Sequence, residues 1–411
     1  MQTRIDARLL QDPEISEAES ILRSCVHCGF CTAVCPTYQL LGDELDGPRG
    51  RIYLIRDMLQ TQEVSTTAVR HIDRCLTCRA CETVCPSGVQ YGRLVDIGRS
   101  FMAARRRPGM RSRIMSWLLR QVVPRPRVVG PLLGLGRMFR PFLPAGLRSL
   151  VPAAPWRGTE PTASAPLEAG ARQVVVLAGC VQRAATPGVN QALAYLLGQH
   201  GIGVTLLPEE GCCGALDYHL GAHEAGLERM RLMIDRLLPL LDHTDAIVST
   251  ASGCGVAVKD YPVMLAHDPE YKARASAVAD KCVDASELLV DLAFAAAPVA
   301  VACHIPCTLQ HGQRLPGLVP QILRDSGLEL LEVPDAGLCC GSAGTYSILQ
   351  PGLARQLRDN KVRALLAGTP EVIVTANIGC QLHLAGGTEV PVMHWLELLA
   401  NQVRLLKEPP E

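Results

Sequence analysis

Two runs of cysteine dominate the first hundred residues. Cys25, Cys28, Cys31 and Cys35 are spaced C-x2-C-x2-C-x3-C and closed by Pro36; Cys75, Cys78, Cys81 and Cys85 repeat the spacing and are closed by Pro86. Three thiolates two residues apart can wrap one face of a 4Fe–4S cubane. The fourth, set before a proline, serves the other cluster of a pair. The spacing predicts one cluster on Cys25, Cys28, Cys31 and Cys85 and a second on Cys75, Cys78, Cys81 and Cys35, an electron-carrying pair. Zinc sites also use C-x2-C pairs, but they draw four ligands as two separated pairs and give no reason for an evenly spaced triplet plus Cys-Pro, twice. Neighbours within each run are too close to form unstrained disulfides.

A second cysteine pattern fills the remainder. Cys180, Cys212-Cys213-Gly214 and Cys254 are matched by Cys307, Cys339-Cys340-Gly341 and Cys380. Thirty-one residues separate the lone cysteine from the pair in both copies, and the shared offset of about 127 residues marks a duplication. Two matched four-cysteine sets point to a metal or cluster in each copy, the identity of the metal being left open. Cys282 and Cys303 fall outside the repeat and are expected to pack as small hydrophobes. His304, in His-Ile-Pro-Cys307, is placed to ligate or tune the second set, though packing nearby is the preferred reading. His219, His223, His311, His383 and His394 belong to no such pattern and are expected to be structural.

These residues need elements to position them. Arg51-Ile-Tyr-Leu-Ile-Arg-Asp-Met-Leu59 has helical apolar spacing, and a further helix is expected through Ala68, Val69 and Ile72 up to Cys75. The first domain is therefore helical, with cluster-bearing loops between helices, and the Arg and Asp residues between the runs are read as a solvated face. In the duplicated part, Gln173-Val-Val-Val-Leu-Ala178, Val204–Leu207 and Ala246–Ser249 are short apolar strands, matched by Val299–Val301, Leu328–Leu331 and Val372–Thr375. Strands alternating with helices predict a parallel α/β arrangement, with each cysteine just past the carboxyl end of a strand, where open sheets place ligands.

Between these parts, residues 97–159 contain no acidic side chain, while arginines such as Arg113, Arg120 and Arg137 alternate with Trp117, Leu118, Phe139 and Phe142. Prolines at 124, 126, 131, 141 and 144 are expected to break this stretch into short helices. A membrane interface with anionic lipid, an acidic partner, or plain packing on the domains would all suit it. Residues 153–170, rich in Ala, Pro, Thr and Gly, are expected to be the linker proper. The expected division is 1–100, a helical two-cluster ferredoxin domain; 101–170, the basic apolar segment and linker; 171–295 and 296–411, the two cysteine-rich (CCG) units. The fold class is thus α followed by duplicated α/β.

Composition narrows the function further. The 411 residues carry 40 Lys+Arg against 40 Asp+Glu, so the chain as a whole has no nucleic-acid signature. Met1 to Glu17 lacks the apolar core of a signal peptide, so eighteen cysteines in a reducing cytosol point to metal rather than disulfides. No uncharged run of about 18 residues is available for a membrane span. There is no G-x-G-x-x-G after a strand, no P-loop and no H-E-x-x-H; Gly134-Leu-Gly136 does not extend into a fingerprint, and no flavin or nicotinamide site of its own is expected.

Tandem ferredoxin runs followed by two C…CCG…C units resemble the family that includes the heterodisulfide reductase cysteine-rich subunits and the iron–sulfur subunits of anaerobic glycerol-3-phosphate dehydrogenase and of lactate-utilisation systems. Cys25-Val-His-Cys-Gly-Phe-Cys31, Thr37 through Asp46-Gly-Pro-Arg-Gly-Arg-Ile52, Leu338-Cys-Cys-Gly-Ser-Ala-Gly-Thr-Tyr346 and Thr375-Ala-Asn-Ile-Gly-Cys380 are most similar to the glycolate oxidase iron–sulfur subunits. That resemblance implies a complex oxidising glycolate to glyoxylate, with D-lactate as a second substrate. A separate FAD subunit would perform the chemistry, and electrons would pass through this chain to membrane quinone. It implies peripheral attachment to the cytoplasmic face of the inner membrane. No catalytic residue is expected on this chain. Heterodisulfide reductase units end in C-x2-C; here the first member of that pair is Ala251 in one half and Asn377 in the other, which argues against disulfide chemistry.

Overall fold

The computed structural model describes residues 1–106, 109–142, 172–207 and 211–407. The first hundred residues are helical. Helices Pro13–Ser24, Pro48–Thr61, Thr66–Asp73 and Tyr91–Arg105 enclose a core of Leu22, Ile55, Met58, Leu59, Ile72 and Leu94. Their starts are written locally. Asp12 caps the first helix by accepting from Glu14 N, Ser65 accepts from Ala68 N, and Pro13 and Pro48 occupy first-turn positions where a missing N–H costs nothing. The Arg and Asp residues between the runs divide: Asp43 and Asp57 are exposed and Arg49 and Arg56 half-buried, as a solvated face requires, but Arg51 is 1% and Asp46 0% exposed. Helical periodicity alone could not register this, because helix Thr66–Asp73 and the turn Glu44–Asp46 close over them.

The basic segment forms helices Met110–Val122 and Pro126–Met138. Pro131 lies inside the second and does not break it; the helix forgoes one backbone hydrogen bond there. Pro144, Arg148 and the expected linker at 153–170 lie outside the described residues.

Two four-stranded parallel sheets follow. Strands β1 (Gln173–Leu177), β2 (Gly203–Leu207), β3 (Ala246–Ser249) and β4 (Cys282–Asp284) run in the order β2-β1-β3-β4. Strands β5 (Ala300–His304), β6 (Glu329–Leu330), β7 (Val372–Thr375) and β8 (Val392–His394) repeat it as β6-β5-β7-β8. Register is parallel throughout, Val176 opposite Val248 in one sheet and Cys303 opposite Val374 in the other. Val174, Val176 and Val248 join Val301, Val374 and Trp395 in one apolar cluster, so the two units share a core across their junction.

Candidate metal centres

The two ferredoxin loops adopt one conformation twice. His27 and Thr77 are left-handed at φ 57° and 53°, and Gly29 and Arg79 at 87° and 62°. These paired turns wind each triplet of cysteines into an arc, and each arc ends in a one-turn helix, Phe30–Ala33 or Ala80–Thr83. Cys25, Cys28, Cys31 and Cys85 line one cavity together with Pro48, Ile52 and Tyr91, and Cys81 reaches it too. Burial and the neighbouring charges of Cys25, Cys28 and Cys85 push the Cys31 thiol up to about 11. Burial likewise raises Cys81, and Cys78, Cys75 and Cys35 act on it from close by. Four thiols converge in each place, and mutual repulsion between thiolates is what a bound cationic iron centre relieves. The residues therefore fit two clusters.

The second set has a cation beside it. The Arg51 Nη1 lies 3.9 Å from Cys35 Sγ, its Nη2 donates to Thr37 Oγ1 at 3.0 Å and Asp46 Oδ1 at 3.4 Å, and its Nε donates to the carbonyl of His71 at 2.7 Å. Arg74 holds the other Asp46 oxygen at 2.8 Å. Burial works against the Cys75 thiolate, but Arg51 and Arg99 outweigh it and hold this thiol below the usual cysteine range. Tyr91 also donates to Cys75 Sγ at 3.6 Å.

The expectation that every cysteine of these units lies just past a strand holds for Cys180 and Cys307, three residues beyond β1 and β5. Cys254 and Cys380 instead sit in the helices Ser252–Lys259 and Ile378–Ala385, and Cys339 comes nine residues after β6. Cys180 follows β1 and lies 3.9 Å from Cys212, sulfur to sulfur; Cys213 contacts both Cys212 and Cys254. In the second unit Cys340 and Cys380 are 3.2 Å apart, and Cys339 bridges Cys340 to Cys307. The glycine after each pair is dictated by geometry. Gly214 and Gly341 both have φ 83°, and a Cβ there would meet the carbonyl oxygens of Gly226 and Ala354 at 2.5 and 2.7 Å. Asn377 is turned away from the thiols. Its Oδ1 accepts from Gly379 N at 2.8 Å, and its Nδ2 donates to Ser252 at 3.2 Å and Thr308 at 3.4 Å.

Cys282 is buried on β4 in the first unit's core, and Cys303 on β5 is part-buried against the shared core. His219 pairs with Asp96 at 3.0 Å, His311 with Thr83 at 2.9 Å, His383 with the Ala354 carbonyl at 3.1 Å and His394 with the Thr250 carbonyl at 2.9 Å. His223 stacks on Tyr218 at 3.9 Å. Several of these tie the ferredoxin part to the units behind it, as does Arg79, whose Nη1 donates to Asp260 at 2.7 Å. Sequence reasoning missed two features. One is the Arg51 network, for which Asp46-Gly-Pro-Arg-Gly-Arg51 was the available signal. The other is a junction in which Cys78, Cys307 and Cys339 share one apolar cluster with Leu76, Tyr346 and Leu357.

The 4Fe-4S dicluster domain family matches residues 21–89, and the cysteine-rich domain family matches twice, at 174–259 and 301–385. The glycolate oxidase iron-sulfur subunit of Escherichia coli (strain K12) is 50% identical over 404 residues, covering 97% of this chain and 98% of that protein. The probable glycolate oxidase iron-sulfur subunit of Bacillus subtilis (strain 168) is 33% identical over 90% of each chain. A lactate utilization protein A from an Exiguobacterium species is 30% identical over 56% of this chain and 98% of its own length.

Proposed function

Because the chain belongs to the family of glycolate oxidase iron–sulfur subunits, we propose that it carries electrons away from a partner FAD subunit that oxidises glycolate to glyoxylate, with D-lactate as a second substrate. Such an oxidation releases two electrons and two protons. Clusters on Cys25, Cys28, Cys31 and Cys85, and on Cys75, Cys78, Cys81 and Cys35, supply one-electron transfer when bound. The chain's own residues hold these sites a fixed distance apart, exclude water from the second, and set its charge with Arg51 and Arg99. The electrons end on membrane quinone, which takes up two with two protons.

The observation that carries this reading is the pairing of two four-thiol sets, one open to solvent at Cys28 and one enclosed. The eight cysteines of the CCG units are proposed as further metal sites. Attachment to the cytoplasmic face of the inner membrane is supported by the basic segment. Eleven of the twenty exposed large hydrophobic side chains among the described residues lie between Met110 and Phe142, in a stretch with arginines and no acid. No helix among the described residues is long and apolar enough to cross a membrane. Disulfide reduction by the CCG units is disfavoured by Ala251 and by Asn377, whose amide is engaged with Ser252 and Thr308.

The deciding experiment combines the anaerobically purified chain with its flavoprotein partner and adds glycolate. Cluster bleaching that requires both partner and glycolate is expected. Bleaching by glycolate without the partner, or none with it, would refute the relay.

A further inference from the structure

The two cysteine-rich units differ at one buried residue. Strands β1 and β5 are equivalent, and each delivers its unit's lone cysteine three residues beyond its end, Cys180 and Cys307. The last residue of β1 is Leu177, packed in the first unit's apolar core. The last residue of β5 is His304. It is 1% exposed, and neither of its ring nitrogens has a hydrogen-bond partner. An imidazole offers a donor and an acceptor, and burying both unpaired is costly unless something else binds there.

The neighbours supply that something. A ring nitrogen of His304 and the sulfurs of Cys340 and Cys380 all lie within 4.8 Å of one another. A tetrahedral zinc ion with Zn–S of about 2.3 Å sets its sulfur donors about 3.8 Å apart. Cys340 and Cys380, 3.2 Å apart, need to part only slightly to admit one. The ferredoxin cysteines are spaced differently. Among the described residues, no three of them bring their sulfurs within 4.8 Å of one another. That wider spacing suits a cluster, whereas the tight triad suits a single ion. Charge agrees: three thiolates around a divalent ion leave one net negative charge, and the buried Lys361 interacts with both Cys339 and Cys340 while donating to the carbonyls of Asp335 and Ala336 at 3.2 and 2.8 Å.

We propose that His304, Cys340 and Cys380 hold a single tetrahedral metal ion of the zinc class, its fourth donor coming from the adjoining Cys339–Cys307 pair. The duplicated units are then inequivalent: the second is a mixed imidazole–thiolate site, and the first has no imidazole to offer. The inference deepens the reading of the second unit as a metal site and does not depend on the electron route.

The test uses the full chain, produced with zinc in the medium and purified anaerobically. Metal analysis and zinc-edge X-ray absorption are expected to show one zinc per chain with one imidazole nitrogen at about 2.0–2.1 Å and three sulfurs at about 2.3 Å. His304→Leu should weaken zinc binding on the order of a hundredfold or more, with the cubane signals of the ferredoxin domain retained as the sign of a folded chain. His304→Cys should keep the zinc and change its shell to all sulfur. A wild-type chain without zinc but with about twelve irons would overturn the proposal in favour of a third cluster. So would an all-sulfur shell in the wild type, or full zinc retention in His304→Leu. The wild-type absorption measurement decides even if the leucine variant fails to fold. Failure of glycolate and partner to reduce the chain would leave every one of these zinc readings unchanged.

Discussion

The first cysteine run meets solvent and the second is walled in, although their spacing is the same. Cys28 is exposed, flanked by Val26 at 66% and Phe30 at 62% exposure, with His27 stacked on Tyr53 at 4.8 Å. Cys78 instead faces Cys307 and Cys339 across an apolar seam, and Arg51 and Arg99 stand beside Cys75. Two cations favour added negative charge at the second site. An exposed apolar rim favours protein contact at the first. Duplicated motifs thus acquire different surroundings, and in the relay proposed above the first run receives an electron from the partner and the second draws it inward.

The comparison breaks most sharply on the ligands themselves. Cys28→Ser and Cys78→Ser should each abolish electron delivery from the flavoprotein partner to a quinone analogue, and each should lower iron by about four per chain, because a cluster requires its fourth thiolate. Near-normal quinone reduction by either variant would show that the two sites do not act in series. Arg51→Met comes next and should touch only the second site. A unit charge lost a few ångströms from Cys35, at the effective dielectric of a protein interior, lowers one of the two reduction potentials by on the order of 50–100 mV. Stability should fall by roughly 3 kcal/mol, since Asp46 stays buried with a partner gone. A redox titration in which both potentials move equally would deny the asymmetry.

Much of this architecture was legible beforehand, because cysteine spacing is a covalent record of cluster geometry and the 127-residue offset fixes equivalent positions. Strands β1, β2, β3 and β7 were recognisable as apolar runs. Strands β4 and β8 were not: each has three residues and leads directly into a helix, leaving no period to detect. The burial of Arg51 and Asp46 was hidden for another reason. A charged residue in a helical pattern, here Arg51, reads as a solvated face unless the groups that fold over it, the Asp46 carboxylate and the His71 carbonyl, are known. Which unit Cys78 would face is likewise a tertiary fact with no local signal.

The exposed rim offers a smaller effect confined to the first site. Val26→Ser and Phe30→Ser together should weaken association with the flavoprotein about tenfold, measured by titration of the purified partners, while the thermal midpoint stays within a degree or two. Equal affinity in the double variant would move the docking surface elsewhere.

The smallest effect tests the backbone that both loops share. Position 29 is glycine, for which φ 87° is unstrained; position 79 is arginine at φ 62°, where a Cβ is crowded against the backbone. Arg79 is held there by Glu82 at 3.0 Å and Asp260 at 2.7 Å, the latter from the first cysteine-rich unit. Two substitutions separate these contributions. Arg79→Ala and Arg79→Gly both lose the two ion pairs, but only glycine relieves the left-handed strain. Chemical denaturation should therefore find the glycine variant more stable than the alanine variant by about 1 kcal/mol, with the cluster spectra of both unchanged. Equal stabilities would mean that the second loop stores no strain, and that Arg79 stands where the first run has Gly29 only for its reach to Asp260.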